Sequence, residues 1–110
     1  MALDFYITDG EDGKLLDNDG ITCQLELSTH EELFETLSRI DQMFPLLQRF
    51  SDFYDDGFVG RENMKDFISE IEHATMHFDM ESPVKRLFDR LHSLSVLAFA
   101  RPGDISALCD

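Results

Sequence analysis

The chain has 110 residues, 43% of them hydrophobic and ten of them Phe; this predicts one folded domain and argues against a disordered chain. Its formal net charge of −14 argues against direct binding to nucleic acid or to an anionic membrane, both of which need a basic face. The same charge suits a basic partner, with solubility alone as the simpler explanation.

Residues 3–8, LDFYIT, alternate, with Leu3, Phe5 and Ile7 on one face and Asp4, Tyr6 and Thr8 on the other. That is the pattern of a half-buried strand. The opening MALDFYITD has no basic start and no long apolar run, so neither a signal peptide nor a transmembrane span is expected and the cytoplasm is the default compartment. Residues 9–20, DGEDGKLLDNDG, read as an acidic loop in which Lys14–Leu16 can extend a ladder. Residues 21–28, ITCQLELS, alternate again, and the two strands are expected to pair as an antiparallel hairpin.

A long apolar stripe follows: Leu33, Leu37, Ile40, Phe44 and Leu47, extended by Phe50, Phe53 and Tyr54. Pro45 interrupts it, and a proline fits a helix only in its first turn. Two helices are therefore predicted, at 30–42 with Thr29 as N-cap and at 44–54. Gly57 and Gly60 break the second, and Phe58 and Val59 are expected to tuck against the core. A third helix over 61–77 would bury Met64, Phe67, Ile68 and Ile71. Ser82 as N-cap and Pro83 at the first position open a fourth, 83–93, burying Val84, Leu87, Phe88 and Leu91. Residues 94–100, LSVLAFA, look like an inner strand with both faces apolar, a continued helix being the alternative. Pro102–Gly103 ends that element, and the last seven residues, 104–110, read as a frayed tail.

This order predicts an α/β (α+β) fold, a three-stranded sheet with about four helices on one face. The acidic faces of the first two strands would then look to solvent or to a partner. The expected core is Phe5, Ile7, Leu25, Leu37, Phe44, Leu47, Phe50, Phe67, Ile71, Leu87 and Val96. Charge is uneven along the chain. Residues 1–35 carry ten acids and one base, Lys14, whereas residues 82–110 carry three acids and four bases.

No motif carries catalytic chemistry: GxSxG, GxGxxG and GxxxxGK are all absent, and no enzyme activity or cofactor is expected. Two segments approach the calcium-loop pattern of spaced oxygen ligands, a Gly at the sixth position and a Glu at the twelfth. With Gly20 at six, Leu15 occupies the first position; with Gly57 at six, Asn63 replaces the Glu. The first reads as a solvated turn rich in Asp, Asn and Gly for backbone reasons, and Asp52, Asp55 and Asp56 of the second as an exposed acidic helix end. His73 and His77 are four apart on the third helix, in a row with Glu70 and Asp66, but Ala74 follows His73, so HExxH is not formed. That row reads as a solvated polar face, and His30 and His92 as surface or helix-end residues; no metal is expected. Cys23 and Cys109 are too few for a disulfide scaffold.

The opening MALDFYI, the strand leading into HEELF and the run MFPLLQRFSDFYDD resemble a family of short bacterial proteins encoded near polymorphic or contact-dependent toxins and regarded as immunity proteins. The likeness spans residues 1–75. It implies an α/β fold and a cytoplasmic inhibitor of a cognate toxin, without specifying the toxin. Separately, the net charge of −14 suits a nuclease toxin, whose basic cleft an acidic protein would approach rapidly by electrostatic steering. It carries over no contact residue. On charge and position alone, the expected partner-binding set is Asp52, Tyr54, Asp55, Asp56 and Glu62, with Glu11, Asp12, Asp17 and Asp19 as second choice. An acidic interaction or scaffold subunit and a metal-responsive module are the alternatives from other classes.

Overall fold

In a computed structural model, residues 2–9, 14–16 and 18–109 are described. Five strand segments form one antiparallel sheet: β1 (Ala2–Asp9), β2 (Lys14–Leu15), β3 (Gln24–Glu26), β4 (Gly57–Val59) and β5 (Asp104–Cys109). Three α-helices accompany it: α1 (Leu27–Ser38), α2 (Met64–Ala74) and α3 (Pro83–Ala100). The order across the sheet is β2-β1-β5-β4, with β3 also on β1. Because β5 takes one edge of β1 from Leu3 to Thr8, β2 (at Thr8–Asp9) and β3 (at Ala2–Asp4) share the other edge at opposite ends. The class is α+β as expected, with a wider sheet and fewer helices.

The core lies between the helices and the sheet face carrying Leu3, Phe5, Ile7, Val59, Ile105 and Ala107. Every expected core residue is buried except Val96. His30 also enters this core: its Nε2 donates to the Phe50 carbonyl at 3.0 Å, and its ring packs on Phe34 and Phe53. It is not a surface residue, because the α1 stripe His30, Leu33, Leu37 needs a side chain at its first turn.

Three parts of the sequence-based assignment are corrected. The strand expected at 21–28 is only β3, and α1 starts at Leu27 rather than after Thr29. It ends at Ser38, short of residue 42, with the Arg39 N–H closing on Thr36. The helix expected at 44–54 is reduced to one 3-10 turn, Leu47–Phe50. Pro45 disfavours helical backbone at Phe44, and two aspartates then compete for the backbone. Asp52 Oδ1 accepts the Tyr54 N–H and Asp55 Oδ1 the Asp56 N–H, both at 3.0 Å. At the other end of the turn, the Glu70 carboxylate accepts the N–H groups of Leu46 and Leu47 at 3.0 and 3.1 Å. Glu70 thus leaves the polar row of His73 and His77 and caps a neighbouring segment.

The third correction is the largest. Residues 94–100 are not a strand but the last two turns of α3, and the tail is not frayed but forms β5, the central partner of β1. Leu94, Ser95 and Ala98, all 0% exposed, continue the buried stripe of Leu87 and Leu91 at helical spacing. Helix geometry places Val96 on the opposite side, where it is 45% exposed. Gly103 N–H returns to the Ala98 carbonyl at 2.8 Å and closes the helix. Ile105 and Ala107 then alternate inward against Ser106 and Leu108. Elsewhere the reading holds: α2 with its flanking 3-10 turns, Arg61–Asn63 and Thr75–His77, fills 61–77. Ser82 caps α3 by accepting the Val84 N–H, with Pro83 in the first turn.

Candidate functional site

Directly paired residues of an antiparallel ladder share a face. Across the sheet face turned away from the helices, Phe58, Ser106 and Tyr6 therefore make one row, and Leu108, Asp4 and Gln24 the next. Phe58 is 47% exposed and Leu108 37%, whereas the residues on the inner face are almost completely buried. Acidic groups border this apolar centre. Asp4 accepts from Gln24 Nε2 at 2.8 Å, Glu26 lies opposite Ala2 on β3, and Asp56 stands just before β4. At the far end Leu15 stands opposite Thr8 on this face, 51% exposed, and Arg61 ties the neighbouring acids. Asp104, 2% exposed, accepts the Arg61 backbone N–H at 2.6 Å, with Arg61 Nε at 3.5 Å and Arg61 Nη2 at 3.5 Å from Asp9. The exposed apolar groups beside acids that Arg61 does not tie are thus those at the end bearing Tyr6, Phe58 and Leu108.

The first-choice contact residues fall around β4. Asp52, Tyr54, Asp55 and Asp56 are brought together in the turn before it, all exposed. Tyr54 stands edge-on against the buried Phe53 ring, with centroids 5.5 Å apart. Each of the three aspartates has one oxygen engaged by a backbone N–H; for Asp56 the donor is Cys109, at 2.8 Å, which carries the β4–β5 pairing past its end. Glu62 is not part of that turn. It follows β4, with its carboxylate folded over Gly60, and Gly60 is about 13 Å of extended chain beyond Asp56 at ~3.3 Å per residue.

Of the second-choice set, Asp19 is exposed with φ +57°, followed by Gly20 at +80°, and the Ile21 N–H closes on the Asn18 carbonyl at 3.1 Å. Two successive left-handed residues are the geometry of a tight hairpin-type turn, which accounts for the Asp-Gly pair without a ligand. Glu11, Asp12 and Asp17 lie outside the described residues.

Phe58 and Leu108 are two residues of this face that sequence reasoning missed. Phe58 was expected in the core together with Val59. In a strand, successive side chains point to opposite faces. With one sheet face covered by helices, only one of the pair can be buried, and it is Val59 at 0% exposure. Leu108 was hidden by reading the tail as frayed.

His73 and His77 are exposed. Among the described residues no three His, Cys, Asp or Glu side chains stand together as a metal site. Burial pushes the Cys23 thiol up to about 12, Arg90 lowering it and Asp4 raising it to lesser extents. Cys109 is half-buried, and the two are not joined in a disulfide. Among the described residues no helix is long and apolar enough to cross a membrane. Compared with protein-family models, curated proteins and solved structures, the chain matches none.

Proposed function

We propose that this protein is a non-enzymatic immunity protein that binds and neutralises a cognate, basic bacterial toxin domain in the cytoplasm, using the open sheet face and the turn beside it. One observation carries the reading: aromatic and aliphatic side chains, Phe58, Tyr6 and Leu108, sit on an uncovered sheet face bordered by Asp4, Glu26 and Asp56, on a chain of net charge −14. A desolvated centre of large side chains within a charged rim is the anatomy of a tight protein interface. The sign of the rim selects a basic partner and disfavours nucleic acid itself. The resemblance of residues 1–75 to immunity proteins supports the same reading.

The test is co-expression with candidate basic toxin domains, those of neighbouring reading frames first. Rescue of growth and a complex that survives purification are the expected results. No rescue together with no complex at low salt overturns the proposal. Rescue without any effect of Phe58→Ala or of Asp52→Lys plus Asp55→Lys keeps the immunity role and rejects the surface.

A further inference from the structure

We infer that the outer surface of the α2–α3 pair is where two copies of this chain meet. The last two turns of α3 are apolar on both sides. Leu94 and Ala98 face the core, while Val96 (45% exposed) and Phe99 (54% exposed) face outward. A surface helix ordinarily turns polar residues outward. Phe99 shares with Lys65, Ile68, Ser69 and Glu72 of α2 an open groove of ≈ 340 Å³, so the exposed apolar surface continues from one helix to the next.

Charge identifies the occupant. A two-fold interface uses the same patch on both copies and must be self-complementary. Lys65 and Glu72 lie seven residues apart on α2, about 10 Å at 1.5 Å per residue, and bracket Ile68 and Phe99. A two-fold axis through that apolar middle brings Lys65 of each copy to Glu72 of the partner subunit. Glu72 is available for this: its side chain keeps 59% exposure although Oε2 lies 3.3 Å from His92 Nε2. Among the residues lining the groove, the charges of Lys65 and Glu72 cancel. Two copies of a chain of net charge −14 meet less like-charge repulsion at this balanced pair than at the acidic turn of Asp52, Asp55 and Asp56, whereas a basic partner is drawn to the acidic surfaces. The patch belongs to the helical layer and the proposed toxin-binding surface to the opposite sheet face, so a dimer leaves the outer sheet face of each copy open. This inference is therefore independent of the immunity reading.

Sedimentation equilibrium of the full chain tests it. A small interface belongs to the weak end of stable association, so the mass should move from one copy toward two as concentration rises to about 200 μM, above a micromolar dissociation constant. Phe99→Lys and, separately, Val96→Asp should remain monomeric with unchanged circular dichroism. Lys65→Glu should weaken the dimer, and Lys65→Glu combined with Glu72→Lys should restore it. A monomer throughout that range overturns the inference. So does a dimer that persists in both Phe99→Lys and Val96→Asp, or one that is lost instead in Phe58→Ser on the sheet face.

Discussion

The Asn18 side chain accepts the Ile7 N–H at 3.0 Å and donates its own N–H to the Phe5 carbonyl at 3.1 Å, with a further contact to the Ile21 carbonyl at 3.4 Å. It thereby fills the gap between β2 and β3 on the edge of β1, supplying with a side-chain amide the donor and acceptor that a strand would supply. Leaving both backbone groups without partners in this half-buried site should cost Asn18→Ala about 1–3 kcal/mol. Asn18→Asp should not restore stability, because a carboxylate cannot donate to Phe5. Urea unfolding of the three proteins measures this, and an Asn18→Asp as stable as the parent would contradict it.

Glu70 gives stability an unusual dependence on pH. Its carboxyl is raised above the ordinary 4.5, first by burial and then by Asp66, against the lowering effect of its bonds from Leu47 and Leu46 and of Arg49. A group that holds its proton more tightly folded than unfolded favours the folded state fully below the unfolded value, and that contribution is lost as pH rises through the folded one. Relative to Glu70→Gln, which keeps one acceptor oxygen for Leu46 or Leu47, the parent should therefore lose stability as pH climbs from 4.5 toward neutrality. Glu70→Ala should be destabilised by about 1–3 kcal/mol at every pH, since both N–H groups lose their acceptor. Thermal melts of the three proteins across that range decide the sign; a parent that gains on Glu70→Gln with rising pH rejects it.

The cysteines should separate cleanly in a thiol assay. With its thiol pushed up to about 12 and its side chain 3% exposed, Cys23 presents almost no thiolate near neutral pH, and the thiolate is the nucleophile. Cys109, half-buried on the last strand, is the accessible one. Ellman's reagent should modify one thiol in the native protein and both in denaturant, with mass mapping placing the first at Cys109. Modification of Cys23 at a rate matching Cys109 would mean that the β1–β3 end of the sheet opens readily.

What the sequence made legible follows from period and punctuation. The 2-residue alternation of LDFYIT, the Ser82–Pro83 start and the apolar period of residues 61–77 each agree with a single local structure, and each is found as read. The misses are places where a tertiary partner decides. LSVLAFA is apolar on every face, so its period does not separate helix from strand; the helix is selected by the core taking Leu94 and Ala98. DISALC alternates as a strand should, but its pairing with β1 spans the whole chain and a terminal position hid it. Between Phe44 and Tyr54 the apolar spacing is helical, yet Asp52, Asp55 and the distant Glu70 claim the backbone donors. For the candidate site, the acidic turn was visible in composition, whereas its apolar neighbours Phe58 and Leu108 depend on β4–β5 pairing.

Rim and centre of the proposed interface should fail in different ways. Charged rim residues act mainly on association rate and its salt dependence, while buried anchors act on dissociation. Asp4→Lys with Glu26→Lys, which leaves the Asp56 contact to Cys109 intact, should slow association with the toxin domain and flatten its dependence on ionic strength, with little change in dissociation. Phe58→Ala removes an exposed ring and spares the inner-face core, so folding should be unaffected. As a central anchor it should nonetheless weaken the complex by about 2 kcal/mol or more, roughly 30-fold, almost entirely through faster dissociation. Stopped-flow association and dissociation rates at several salt concentrations separate the two effects. If Phe58→Ala leaves dissociation unchanged while Asp52→Lys with Asp55→Lys abolishes binding, the toxin sits on the turn before β4 and not on the sheet. If neither pair of charge reversals changes the salt dependence, steering by the acidic surface is not how this protein finds its partner.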